Sequence, residues 1–176
     1  GLERRLVWDE EVLRAAFDRV SGVAHPDAGG EREEFAQVRE AYGILRSPGR
    51  RLRHWLETGG VAWAAGGSVP GELLDMFGEI GALIQQVDGL AERKAAAQSA
   101  LGRSMLEREG MELLERVESQ LGAVQAMSGA LLGRFGAFEQ EGAGGCGGEA
   151  VEVARTLGFL EKWEGQRRVR WACLAM

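Results

Sequence analysis

The chain has 176 residues, of which 45% are hydrophobic and 27% are charged, and its formal net charge is −6 at neutral pH. This length fits one domain or two small ones, and the composition is that of an ordinary folded, soluble protein. The acidic balance argues against general nucleic-acid binding, and no apolar run approaches transmembrane length, so neither a nucleic acid nor a membrane is expected as a partner.

The two cysteines, Cys146 and Cys173, lie far apart, and no second Cys or His stands near either of them at the spacing of metal ligands. The sequence therefore predicts neither a structural zinc site nor a disulfide framework, and nothing in it calls for a cofactor. The chain opens with Gly1 instead of methionine and shows no signal peptide. We expect a trimmed chain, and whether a targeting segment was lost stays open.

A first helix is predicted from Asp9 to Ala24. Asp9 is a suitable N-cap, and the two glutamates that follow it favour the positive end of a helix. Pro26 cannot continue the helix and moves the residue before it out of α geometry, so the helix ends there. Apolar residues recur at spacings of three and four and mark one face, which consists of Leu13, Ala16, Phe17 and Val20.

A second helix is predicted from Glu31 to Arg46, after the flexible reversal Ala28-Gly29-Gly30. Its apolar stripe has the same period as that of the first helix. Two such stripes joined by a short connection should pack together, so the sequence predicts an antiparallel hairpin with His25-Pro26-Asp27 at its tip. The second stripe consists of Phe35, Val38, Ala41, Tyr42 and Leu45.

A third helix is predicted to begin at Ser47-Pro48, because serine is a good cap and proline suits the first helical position. The residues that follow, up to Glu57, carry three arginines that form either a solvated face or a binding surface. Residues 58–69 are rich in Gly and Ala and are predicted to be a linker, partly ordered by Val61 and Trp63 against a neighbouring surface. The three arginines are Arg50, Arg51 and Arg53.

Residues 70–176 are predicted to form an antiparallel three-helix bundle, so the whole chain belongs to the all-α class. Pro70 opens the first of these helices, a longer apolar pattern over 95–138 indicates a helix hairpin, and the last helix covers 149–171. None of these helices can bury its apolar stripe alone, which favours a bundle. The glycine-rich stretch 140–148 is predicted to be a flexible loop.

Residues 1–57 resemble a J domain, the module by which DnaJ-type co-chaperones engage DnaK-type chaperones. The resemblance rests on the first helix, on His25-Pro26-Asp27 with its glycines, and on the apolar register of the second helix. A longer resemblance, to the iron–sulfur co-chaperones of HscB type, spans nearly the whole chain. It rests on the exit from the hairpin, Leu45 to Gly60, on a second domain of three helices, and on Ala154 to Lys162, which is similar to that family's (K/R)LxFLxK pattern.

The resemblance implies a co-chaperone that is not an enzyme and has no cofactor of its own. Its J domain would bind an HscA- or DnaK-type chaperone and stimulate ATP hydrolysis by that chaperone. Its C-terminal bundle would hold an IscU-type scaffold protein, on which iron–sulfur clusters are assembled, and present it to the chaperone. Such a protein would act in the bacterial cytoplasm or, in a eukaryote, in the mitochondrial matrix or another organelle.

The resemblance also assigns roles to individual residues. The tip of the hairpin would be the stimulating loop, and two arginines of the first helix would be what remains of a basic chaperone-binding face. Four apolar residues fall where the family contacts its scaffold protein. The chaperone-binding residues are His25, Pro26, Asp27, Arg14 and Arg19, and the scaffold-binding residues are Leu73, Leu74, Phe77 and Phe159.

Three features depart from the family pattern. The first helix is less basic than usual, with Asp18 between its arginines, which weakens electrostatic steering toward an acidic partner. Gly78 and Gly81 stand where the family tends to carry acids. The usual first helix of a J domain has no counterpart before Gly1, and Gly1-Leu2 resembles its exit.

Several alternatives stay open. Leu73, Phe77 and Ile80 have the spacing of core residues, whereas Leu74 is expected to face outward. Phe159 lies beside the core stripe of the last helix, which favours exposure. Catalysis by this chain is not expected, because no nucleophile, metal ligand or phosphate loop lies near the His-Pro-Asp sequence. A co-chaperone for a different client, and a helical interaction module without chaperone activity, remain as alternative functions.

Overall fold

The computed structural model describes residues 3–63 and 71–174, and over these residues the chain is all-helical, as predicted. No strand occurs within the described ranges, and none of their helices is long and apolar enough to cross a bilayer. The elements in chain order are α1 (Glu10–Ala24), a 3₁₀ turn (Pro26–Ala28), α2 (Arg32–Arg46), α3 (Pro48–Thr58), α4 (Gly71–Ala96), α5 (Ala100–Leu132) and α6 (Phe135–Leu174).

The predicted caps of the first and third helices are confirmed. The Asp9 carboxylate accepts hydrogen bonds from the backbone N–H groups of Glu11, at 2.8 Å, and Val12, at 3.3 Å. The Ser47 hydroxyl accepts one from the N–H of Arg50 at 3.3 Å. These side chains satisfy donors that a helix start leaves without an intrahelical partner, so both helices begin where the sequence places them.

The hairpin of α1 and α2 is also confirmed. The ring of Phe17 on α1 stacks on that of Tyr42 on α2, with centroids 4.2 Å apart. Nearer the tip, the ring of His25 meets the ring of Phe35 edge to face at 4.9 Å. The two aromatic pairs are spaced along the interface, so the helices run antiparallel and the tip is held against the start of α2.

Two compact units are formed, and the first contains residues 1–67 together with 130–161. Its core joins the segment before α1, the helix α3 and the first part of α6. Leu6, Leu52 and Leu56 are fully buried in it. The other buried members are Trp55, Phe135, Phe138, Ala143, Cys146, Ala150, Val153, Ala154 and Leu157.

Val61 and Trp63 pack against this core, which confirms their predicted ordering role. The guanidinium carbons of Arg53 and Arg155 lie 4.8 and 5.4 Å from the centroid of the Trp63 ring, so two cations stabilise one indole. The rest of the predicted linker, residues 64–69, lies outside the described residues, as does Pro70.

Helices α3 and α6 pack very closely at one point. A Cβ atom added to Gly49 of α3 would lie 2.8 Å from the backbone nitrogen of Gly158 and 3.1 Å from the carbonyl oxygen of Ala154, both on α6. From α6, the Glu161 carboxylate accepts hydrogen bonds from the Ser47 hydroxyl and, at 2.8 Å, from the Gly49 N–H. The start of α3 is therefore bound to α6 through backbone contact and through one carboxylate.

The structure divides the three arginines of α3 between solvent and core. Arg50 and Arg53 are exposed, whereas the side chain of Arg51 is buried. Arg51 donates to the Leu45 carbonyl at 3.0 Å and lies over the ring of Phe135. Burial lowers the pKa of Arg51, and the nearby carboxylates of Glu161 and Glu139 act in the opposite direction. Arg50 and Arg53 therefore belong to a solvated face, whereas Arg51 is a buried cation within the fold.

The predicted flexible loop over 140–148 is wrong, because these residues continue α6. Only Gly142 leaves helical geometry, with φ 77° and ψ 158°, and it kinks the helix. Ala143, Cys146 and Ala150 are buried on one face, and the β-carbon position of Gly147 faces Val61. Tertiary packing of small side chains thus offsets the helix-breaking tendency of the glycines.

The second unit contains residues 68–129 and 162–176. Helices α4 and α5 pack through Leu83, Leu90 and Leu113. Across the interface Arg93 forms an ion pair with Glu109, and the amide oxygen of Gln86 accepts from Arg116 at 2.8 Å. The residue that comes earlier on α4 pairs with the residue that comes later on α5, so the two helices are antiparallel.

The domain boundaries drawn from the sequence, 1–57, 58–69 and 70–176, stay a prediction. Residues 130–161, which the sequence analysis assigns to the C-terminal bundle, pack in the first unit. Within the second unit, the ring of Phe77 on α4 meets that of Trp163 on α6 at 3.7 Å between centroids. Helix α6 therefore contributes to both units.

Candidate functional site

The tip of the hairpin has a defined backbone course. At His25 the chain leaves α1 in extended geometry, with φ −66° and ψ 134°, and Pro26 begins a 3₁₀ turn. The N–H of Asp27 donates to Nδ1 of His25 at 3.2 Å, and the same Nδ1 lies 3.6 Å from the Asp27 carboxylate. A neutral imidazole whose Nδ1 accepts a hydrogen bond carries its proton on Nε2.

Two glycines close the tip, each for a different reason. Gly29 adopts φ 89°, a left-handed conformation that side chains disfavour, and donates its N–H to the Pro26 carbonyl at 3.1 Å. Gly30 donates to the His25 carbonyl at 3.1 Å, and a Cβ on Gly30 would lie 2.3 Å from the Ala24 carbonyl oxygen. The glycines hold the loop in a compact turn that few other residues could form.

The side chains at this tip are presented to solvent on a packed base. The Asp27 side chain is 93% exposed and that of His25 is 45% exposed, although the His25 ring rests on Phe35. A shallow depression beside them is lined by Phe17, Asp18, Ser21, Gly22, His25, Asp27 and Phe35. An open surface with two carboxylates and one imidazole can make directional contacts with another macromolecule.

The described part of the chain holds no group of three or more His, Cys, Asp or Glu side chains able to bind a metal ion. Cys146, which lies in the predicted loop, is instead buried in the core of the first unit. Burial raises the pKa of the Cys146 thiol. Its thiolate is therefore disfavoured at neutral pH, and Cys146 acts as a small core residue.

The two arginines assigned to a basic face do not share one face. Both are exposed on α1, but five residues separate them, which is a rotation of about 140° around a helix. Nε of Arg14 lies 3.9 Å from the carboxylate of Asp18, so its charge is partly balanced. Arg19 is exposed on a different side of α1. Their predicted role in chaperone binding stays a prediction.

An exposed apolar stripe on α1 is the feature that the sequence analysis missed. Val12, Val20 and Val23 are 49%, 46% and 77% exposed, and Ala16 is partly buried between them. The assignment of Val20 to the buried face is therefore wrong, because Leu13, Phe17 and Ala24 suffice to cover α2. The spacing 12, 16, 20, 23 is itself a helical pattern and could have been recognised. These residues lie beside the buried ones on α1 and alternate with them along the chain, so the two sets look like one apolar face in the sequence.

The predicted scaffold-binding residues lie in different environments. Leu73 is 1% exposed and belongs to the core, in line with the alternative that its spacing left open. Leu74 is 56% exposed, as expected, whereas Phe77 is partly buried against Trp163. Phe159 is 38% exposed and belongs to the first unit, while Leu73, Leu74 and Phe77 belong to the second. Binding of a scaffold protein by these residues stays a prediction.

Comparison with known proteins finds one informative relative. No protein-family model matches the chain. Over 46 residues the chain is 39% identical to a tetratricopeptide repeat and J domain-containing co-chaperone from Cryptococcus neoformans var. grubii. The match covers 26% of this chain and 9% of that protein, so the two are similar over a short segment only.

Proposed function

We propose that this protein is a J-domain-type co-chaperone that stimulates ATP hydrolysis by an HscA- or DnaK-type chaperone through His25-Pro26-Asp27. The exposed tip, which the glycine turn and the Phe35 ring hold in place, carries the proposal. The short similarity to a J domain-containing co-chaperone supports it. The chain itself performs no chemistry in this proposal, since the ATP and its catalytic groups belong to the chaperone.

The tip suits this role because it offers directional contacts without needing to fold on binding. The Asp27 carboxylate is free to accept hydrogen bonds from a basic partner group, and its own backbone N–H is already satisfied by His25. A preformed loop loses little conformational entropy on binding, which favours productive contact with the chaperone.

The substitution His25→Gln tests the proposal. We expect stimulation of single-turnover ATP hydrolysis by a DnaK-type chaperone to fall at least about tenfold, since the imidazole contacts are lost while the exposed site keeps stability within about 0.5 kcal/mol. The matched control is His54→Gln, because His54 is the chain's other histidine and is exposed on α3. Undiminished stimulation by the His25 variant, with both variants folded, would contradict the proposal.

We further propose the HscB type, in which the client is an IscU-type iron–sulfur scaffold protein. The supports are the similarity of Ala154 to Lys162 to that family's pattern and the exposure of Leu74 and Phe159. A different client, or an interaction module without chaperone activity, is the alternative. The second alternative predicts no stimulation by the unmodified chain.

Calorimetric titration of the chain with an IscU-type scaffold tests the client. We expect Leu74→Ala and Phe159→Ala each to weaken binding at least about fivefold, a loss of about 1 kcal/mol that corresponds to apolar surface no longer buried. Leu101→Ala is the matched control for Leu74, because Leu101 is 74% exposed on α5 of the same unit. Absence of binding at high micromolar concentration would exclude the scaffold as client and leave the co-chaperone proposal standing.

A further inference from the structure

We propose that Glu139 is a positioning residue of the hairpin formed by α1 and α2, because its carboxylate fixes the segment from which α1 begins. The proposal rests on the proposed function, in which this hairpin stimulates the chaperone. Glu139 lies on α6, far from His25 along the chain, and the contacts that shape the tip do not involve it.

The Glu139 carboxylate binds the backbone of the segment before α1. One of its oxygens, Oε1, accepts hydrogen bonds from the N–H of Leu6 and, at 3.3 Å, from that of Val7. The Leu6 side chain is fully buried in the core to which α6 contributes. Asp9, the N-cap of α1, follows Val7 by two residues, so this carboxylate sets the position from which α1 begins.

The other end of the hairpin is held on α6 in the same way. Helix α2 ends at Arg46, and the Ser47 hydroxyl and the Gly49 N–H, directly after it, donate to the Glu161 carboxylate. The chain therefore enters and leaves the hairpin beside a carboxylate of α6. A body held at two separate points cannot swing about either of them, so the loss of one attachment gives the hairpin a rotation that it otherwise lacks.

Arg51 contributes a positive charge near both carboxylates. Its guanidinium is buried and donates to the Leu45 carbonyl, in the last turn of α2, at 3.0 Å. Burial lowers the pKa of Arg51, while Glu161 and Glu139 both raise it, so each carboxylate lies close enough to attract the cation. The buried charge thus favours the positions in which the two carboxylates bind the ends of the hairpin.

The orientation of the hairpin matters because its tip is small. A specific protein interface covers about 800 Å² on each partner, which is more than a tip of a few residues can offer. We therefore expect the contact with the chaperone to extend beyond the tip to other surfaces of the first unit. Those contacts form together only when the hairpin holds one orientation, and a hairpin free to rotate would lose that freedom on binding, which weakens affinity.

The substitution Glu139→Ala tests the proposal in the ATP hydrolysis assay. We expect the half-saturating concentration of the chain to rise at least about fivefold while the maximal stimulation is kept, because the turn at Gly29 and Gly30 does not depend on Glu139. Glu139→Gln keeps an oxygen that can accept from both N–H groups, so it should restore most of the affinity. Glu141→Ala, at an exposed position of the same helix, is the matched control.

Hydrogen exchange at the amides of Leu6 and Val7 separates positioning from a general loss of stability. All chains are compared at a temperature where circular dichroism shows them folded. We expect faster exchange at these amides in Glu139→Ala and exchange close to that of the unmodified chain in Glu139→Gln. Faster exchange with an unchanged half-saturating concentration would show that Glu139 supports the fold alone and would overturn the proposal. A glutamine variant as weak as the alanine variant would overturn it as well.

Failure of this proposal is distinguishable from failure of the proposed function. If His25→Gln abolishes stimulation and Glu139→Ala leaves the concentration dependence unchanged, the co-chaperone role stands and Glu139 does not position the hairpin. If the unmodified chain gives no stimulation at all, the proposed function fails and the positioning role fails with it.

Discussion

The substitution Gly49→Ala is expected to lower the free energy of unfolding by about 2–3 kcal/mol. Its Cβ atom would lie 2.8 Å from the Gly158 nitrogen and 3.2 Å from the Gly158 Cα. These are backbone atoms, which cannot turn away as a side chain could. The clash can be relieved only by moving α3 away from α6, which also disturbs the hydrogen bond from the Gly49 N–H to Glu161.

The matched control is Gly22→Ala, measured by urea unfolding under the same conditions. A Cβ on Gly22 would meet nothing within 4 Å, and Gly22 lies inside α1. Alanine there should raise stability by about 0.5–1 kcal/mol, because it reduces the entropy of the unfolded chain and favours the helix. If the Gly49→Ala and Gly22→Ala chains were equally stable, that result would contradict the close packing of α3 on α6.

The second large effect is expected for Glu161→Ala, at about 2–4 kcal/mol of lost stability. The carboxylate of Glu161 accepts from the Ser47 hydroxyl and the Gly49 N–H at the start of α3. It also lies close enough to the buried Arg51 to compensate its charge, since burial lowers the pKa of Arg51 and Glu161 raises it. Its removal leaves two donors without their partner and a buried cation less compensated.

Two further variants separate the contributions in urea unfolding. Glu161→Gln keeps an acceptor oxygen and loses the charge, so we expect a loss of stability between those of the unmodified chain and the alanine variant. Glu152→Ala, at an exposed position of the same helix, should change stability by less than about 0.5 kcal/mol. A Glu161→Ala chain as stable as the Glu152→Ala chain would show that the α3–α6 contact does not depend on this carboxylate.

The first third of the chain was readable because its signals are local. Asp9 and Ser47 act on N–H groups two or three residues away, and Pro26 acts on its own helix, so caps and stop follow from neighbouring residues. The two stripes then specify a hairpin, since the connection is too short for any other packing. The His-Pro-Asp site is read from the same few residues, together with Gly29 and Gly30.

The predictions from sequence were wrong for residues whose structure or burial depends on contacts with distant parts of the chain. Local propensity predicts a loop at 140–148, but Ala143, Cys146 and Ala150 recur at helical spacing and pack in a core whose other members come from distant segments. Val20 and the stripe it belongs to carry the same pattern whether buried or exposed. Val20 is exposed because the part of α1 that packs against α2 does not extend to it, and the sequence does not show how far that contact extends.

By itself the sequence determined the all-α class, the hairpin and the chemistry of its tip, because helix caps, breakers and periodicity act within a few residues. Only the tertiary structure decided that Arg51 is a buried cation, that Gly49 lies against Gly158, and that residues 130–161 pack with the first part of the chain. Those outcomes depend on which distant surfaces meet, and burial at a contact is a property of both partners.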